Sequence, residues 1–131
     1  MFAVGATGRL WDAALDWLVG TFGFTETLRV PGPKGTFHAE MRLGPGVVMM
    51  GNPGPDYRNP KSRGGVTQEV YVYVDDVDIH YATARAAGAH IVRPLADQPY
   101  GDRTYAAEDP EGHQWSFAQH VRDVDPPDMG P

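Results

Sequence analysis

The chain has no cysteine, which removes disulfides, a thiolate nucleophile and every thiolate metal site. It also has no long hydrophobic run, and nothing in it approaches the ~20 apolar residues that span a bilayer. The first ten residues lack the cationic start and apolar stretch of a signal peptide. Basic charge is scarce and unevenly placed. Residues 1–64 carry seven Lys/Arg against five Asp/Glu, whereas residues 65–131 carry four against twelve. With a net charge of −6 and no basic stripe, no nucleic-acid partner is expected. Glycine-rich phosphate loops and a serine-centred elbow are absent too. The expectation is a soluble cytoplasmic protein that meets neither membrane nor nucleic acid.

What is present is an ordinary globular balance. The 131 residues are 41% hydrophobic and 21% charged, enough for one domain that buries roughly two thirds of its unfolded surface. Two stretches have helical periodicity. Trp11, Ala14, Leu15, Leu18 and Phe22 recur three and four apart, with Asp12 as expected N-cap and Gly23 as stop. A second helix starts at Asp76–Val77–Asp78 and runs through Tyr81, Ala84 and Ala87 to Gly88, its aspartates at the positive end of the helix dipole.

Elsewhere the period is two. Phe37, Ala39, Met41 and Leu43 alternate with His38, Glu40 and Arg42. Val70, Val72 and Val74 alternate with Glu69, Tyr71 and Tyr73, and Trp115 and Phe117 with Gln114, Ser116 and Ala118. Each set reads as a half-buried strand. Shorter strands are expected at 24–29, 46–51, 89–93 and 103–108, and a first strand within residues 1–10. The order is strand, helix and three strands, given twice. Gly23 precedes Gly88 by 65 residues and Gly46 precedes Gly112 by 66, so the pattern is an internal duplication. The fold class expected is α+β. Module one covers residues 1–51, a Gly/Pro/Asn-rich linker 52–65, module two 66–122, and a flexible tail 123–131. Together 1–122 form a single domain. Each sheet has one face for its helix and one left for a partner or a cavity.

These motifs resemble a known family. Val74–Asp75–Asp76–Val77–Asp78 entering a helix, then Asp109–Pro110–Glu111–Gly112 before a last strand, is similar to the glyoxalase/bleomycin-resistance/extradiol-dioxygenase (vicinal oxygen chelate) superfamily. Asp16–Trp17–Leu18 with Phe22–Gly23–Phe24, and Tyr100–Gly101–Asp102–Arg103 ahead of Trp115–Ser116–Phe117, extend the resemblance over roughly residues 10–120. It implies two tandem βαβββ modules in a half-open eight-stranded barrel with helices outside, and a homodimer. It also implies a divalent metal held by one ligand from the first and fourth strand of each module. Here the first strand offers no His, Asp, Glu or Gln. The fourth reads Gly-Val-Val-Met-Met-Gly with Met50 at the matching place, the fifth has Glu69, and the eighth has Ser116. One hard donor does not hold a transition metal. No metal and no cofactor are expected.

Alternation places Glu69, Tyr71, Tyr73, Gln114 and Ser116 on one cavity-facing surface, with His38 and Glu40 approaching from the other module. Glu69 is the candidate catalytic base if desolvation raises its pKa. The alternative is a carboxylate paired with an arginine. Tyr71 and Tyr73 either wall a binding cavity or pack across strands. His38 and Glu40 are either a polar anchor or a surface pair. Arg103 either clamps an anionic ligand group or holds its own turn. Met49 and Met50 read as core, and His80, His90, His113 and His120 as surface groups. The function expected is a metal-independent small-molecule binding protein or metal-free enzyme, antibiotic or metabolite binding included. A metal-dependent lyase, epimerase or dioxygenase is the alternative, and a module whose cavity has closed is the third class.

Overall fold

The structure, a computed structural model, describes residues 10–52, 54 and 56–125. The expected first strand and the last six residues of the expected tail lie outside the described residues. Helix α1 (Leu10–Phe22) forms because its apolar side chains share one stripe: Ala14, Leu15, Leu18 and Phe22 are all buried. It stops at Gly23, whose positive φ lets its N–H bond back to the Val19 carbonyl. Asp12 is not the cap. It lies inside the first turn, where its carboxylate meets Arg29 at 2.6 Å. Arg29 also binds Asp16 and Glu26 and so ties α1 to the next strand.

Three antiparallel strands follow, β1 (Thr25–Pro31), β2 (Phe37–Leu43) and β3 (Gly46–Asn52), in the order β1-β2-β3. Phe37, Ala39 and Met41 are buried beneath α1, as alternation requires. Met50 pairs with Ala39 and joins them in the core. Met49 pairs with Glu40 and is 62% exposed, so the expectation of a core methionine fails there by a single step of the pleat. The linker carries a four-residue helix, α2 (Pro60–Arg63), capped by the Asn59 side chain.

The second sheet is built from β4 (Val70–Tyr73), β5 (His90–Asp97), β6 (Asp102–Glu108) and β7 (Gln114–His120), ordered β4-β7-β6-β5. Helix α3 (Val77–Ala86) connects β4 to β5, and the Asp76 carboxylate caps it by accepting the Ile79 N–H. Strand β4 runs parallel to β7, and the other pairs are antiparallel. The described chain is therefore α+β, with two sheets and seven strands.

One core spans both halves. Phe22 and Phe24 pack on Trp115 and Phe117 of β7. His80, expected at the surface, sits in this seam. Its ring lies 4.3 Å from that of Phe117, its Nε2–H donates to the Phe22 carbonyl at 2.6 Å, and its Nδ1 accepts from the Tyr105 hydroxyl. The last carbonyls of a helix have no partner within it, and the His80 imidazole supplies one. Burial lowers the His80 pKa, and the bond to Phe22 opposes that only in part.

Candidate functional site

The face of the second sheet turned away from α3 is lined by alternate residues. Tyr71 and Tyr73 of β4 stand level with Ser116 and Ala118 of β7, which stand level with Ala106 and Thr104 of β6. The opposite alternates, Val70, Val72, Tyr105, Ala107, Trp115 and Phe117, belong to the core. Because the middle of the face carries Ala106, Ser116 and Ala118, long side chains from its edges can lie across it. Two polar clusters result.

The first cluster joins Glu69, Arg93 and Ser116. Arg93 Nη2 donates to both Glu69 oxygens at 2.8 Å and to Ser116 Oγ at 2.9 Å, and the Ser116 hydroxyl donates to Glu69. Burial alone pushes the Glu69 pKa up, but the hydrogen bonds from Arg93 and Ser116 outweigh it and the net shift is downward. Of the two readings of Glu69, the geometry is that of a carboxylate paired with an arginine. Arg93 arrives there by an irregular route. The register of β5 against β6 slips on both sides of it, as bulges do when they re-aim a side chain.

The second cluster centres on Asp102, which is 3% exposed. Tyr71 and Tyr73 both donate their hydroxyl hydrogens to its Oδ2, each at 2.7 Å. Their rings meet edge to face at 5.6 Å, and both remain largely exposed. Asp102 Oδ1 faces His120 Nδ1 at 3.1 Å, and His120 Nε2 faces Asp123 at 2.6 Å. Burial raises the Asp102 pKa, yet its bonds to Tyr73, Tyr71 and His120 bring it below the ordinary value. Tyr71 is pushed far up by burial and by Asp102, with Tyr100 close by, and Tyr73 is raised by Asp102 first. His120 is raised by Asp123 and Asp102.

Gly101 makes this arrangement possible. Its φ is +101°, and a Cβ there would stand 2.1 Å from the Arg122 carbonyl oxygen. The close approach lets Val121 and Arg122 both donate to the Gly101 carbonyl, bringing the end of β7 against the start of β6.

Other expected residues fall elsewhere. Arg103 lies on the helix-covered side, bonded to Asp97 at 2.6 Å and to Asp78 of α3 at 3.1 Å, so it fastens strand to helix. Gln114 sits beyond Ser116, in a separate depression against α2 lined also by Lys61 and Glu108. His38 and Glu40 pair with each other at 3.5 Å on the open face of the first sheet. Among the described residues neither bonds to the second sheet. Around them stand the exposed apolar side chains of Leu28, Val30, Val47 and Met49. Asp102 was not singled out as a site residue from sequence; it starts β6, one residue before the strand expected at 103–108.

Two hollows adjoin the tyrosines. A cleft of about 310 Å³ separates the start of β3 from β4, lined by Val47, Val48, Val72, Tyr71 and Tyr73. Another of about 320 Å³ lies between the β2–β3 turn and α3, beside Phe22, Ile79 and His80. Among the described residues no group of three or more His, Cys, Asp or Glu is placed to hold a metal ion. Nor is any described helix long and apolar enough to cross a membrane.

The sequence profile described as Glyoxalase/Bleomycin resistance protein/Dioxygenase superfamily matches residues 7–117. The Mycobacterium bovis protein Mb0911c is 39% identical over 118 residues, which cover 86% of this chain and 78% of that one. The crystal structure of TioX from Micromonospora sp. ML1 is similar, with 45% identity, a TM-score of 0.67, and coverage of 84% of this chain and 89% of TioX. TnmS3 from Streptomyces sp. CB03234, an antibiotic binding protein, shares the fold at 20% identity, with a TM-score of 0.64 over 91% of this chain and 90% of its own.

Proposed function

Because the chain belongs to the Glyoxalase/Bleomycin resistance protein/Dioxygenase superfamily, we propose that it binds a small aromatic or amphipathic molecule, antibiotics included, through side chains alone. The observation that carries this reading is the exposed Tyr71–Tyr73 pair, fixed by a buried carboxylate beside an apolar cleft. Such a surface supplies flat apolar contact and a few oriented polar atoms, which is what small-molecule sites use. The family's divalent ion does not fit here. Both Glu69 oxygens are taken by Arg93 and Ser116. Met50 points into the core, and Met49 offers the open face only a thioether, a soft donor unsuited to such an ion.

The fold supports the finer architecture as a proposal. Residues 66–122 contain a βαβββ unit with β4 beside β7. Module one repeats it if its first strand lies within residues 1–9, giving a half-open eight-stranded barrel across 1–122. The open faces of both sheets then suit a homodimer, in which His38 and Glu40 of one subunit meet the tyrosines of the other. Isothermal titration of chelator-treated protein with a panel of aromatic antibiotics tests the function. Binding that survives chelation and weakens about 10- to 100-fold in Tyr71→Ala supports it. Binding that requires an added divalent ion overturns it in favour of the metal-dependent alternative.

A further inference from the structure

The hydroxyl hydrogens of Tyr71, Tyr73 and Ser116 are turned inward. Tyr71 and Tyr73 each have one, and both go to Asp102 Oδ2. The Ser116 hydrogen goes to Glu69. A phenol that donates inward presents only lone pairs outward, and Tyr71 and Tyr73 are 43% and 58% exposed. The formal charge around them is also one-sided. Asp102 and Asp123 flank His120, and Glu69 is balanced by Arg93, whose Nη2 it shares with Ser116. His120 is the titratable group between Asp102 and Asp123. The tyrosine ring faces add negative quadrupole.

Resting on the reading that this face is the binding site, we propose that its ligand is a planar molecule carrying hydrogen-bond donors, preferably cationic. Amidinium, amino or amide N–H groups of such a ligand point at the Tyr71 and Tyr73 oxygens while its ring lies against Tyr71, Tyr73 and the Val47–Val72 cleft. A carboxylate or ester on the same ring meets lone pairs and negative charge instead. Asp102 acts as a positioning residue: it holds both phenols with their acceptor sides outward and supplies the charge behind them.

Four naphthalenes differing only in the polar head test this: 2-naphthamidine, 2-naphthamide, methyl 2-naphthoate and 2-naphthoate. Calorimetry on the full chain is expected to rank them in that order, with the amidine at least about tenfold tighter than the carboxylate. In Tyr73→Phe, and separately in Asp102→Asn, the amidine-to-ester affinity ratio falls toward one, with melting curves confirming that each variant is folded. Equal affinity for all four probes, with every affinity reduced by Tyr71→Ala, overturns the donor preference and leaves the aromatic site standing. If no probe binds, or Tyr71→Ala changes none, the site and the preference both fall.

Discussion

The Tyr73 hydroxyl reaches the Asp102 carboxylate at 2.7 Å although β7 lies between their strands. The residue it crosses is Ala118, level with Tyr73 on one side and with Thr104 on the other. A methyl group there keeps the path open. Ala118→Leu is expected to cost about 1–3 kcal/mol by overpacking, read from urea unfolding. It also separates the phenols from Asp102. In a spectrophotometric titration the Tyr73 ionisation, raised in the native chain chiefly by its bond to Asp102, falls back toward that of an ordinary phenol.

Glu69→Gln removes the carboxylate that Arg93 binds through one nitrogen. With Arg93 about half exposed, the loss at neutral pH is about 0.5–1 kcal/mol by urea unfolding. The Glu69 pKa is lowered on folding. Its contribution is therefore complete above the unfolded carboxylate value and disappears as pH falls through the folded one. The gap between variant and parent closes in acid.

How much of this was legible in the sequence follows from the regularity of each strand. Val70, Tyr71, Val72 and Tyr73 alternate without a break, so their facing can be read directly. So can that of Trp115, Ser116 and Phe117, and the second helix starts where its aspartates were read. Strand β5 could not be read this way. Its register slips twice and it contains Pro94, tolerated because β5 is an edge strand. The delivery of Arg93 to Glu69 was hidden for that reason. His80 was hidden differently: its partners, Phe22 and Tyr105, are 58 and 25 residues away, and no local pattern encodes such contacts.

His80 makes a pH prediction of definite sign. Its folded pKa is lowered, chiefly by burial, so the unfolded chain takes up the proton first as pH falls. Stability is full above the unfolded histidine value of about 6.5 and declines below it, by at most about 1.4 kcal/mol per pH unit for this residue. His80→Gln keeps an amide donor for the Phe22 carbonyl but does not titrate. Urea midpoints between pH 7.5 and 5.5 are expected to fall less steeply in that variant than in the parent.

The exposed Leu28, Val30, Val47 and Met49 surround His38 and Glu40 on an open sheet face, which is apolar surface of the kind that pairs. Light scattering at micromolar concentration is expected to return twice the chain mass, with an interface of at least ~1,200 Å². Met49→Asp is expected to shift the protein toward the single-chain mass.

The claim that the tyrosine face binds ligand is tested most directly by amide NMR of chelator-treated protein titrated with a ligand found in the antibiotic panel. The account predicts shifts concentrated at Tyr71, Tyr73, Asp102, Thr104 and Ala118. Shifts confined instead to Ile79, His80 and the β2–β3 turn, around the other hollow, would contradict it.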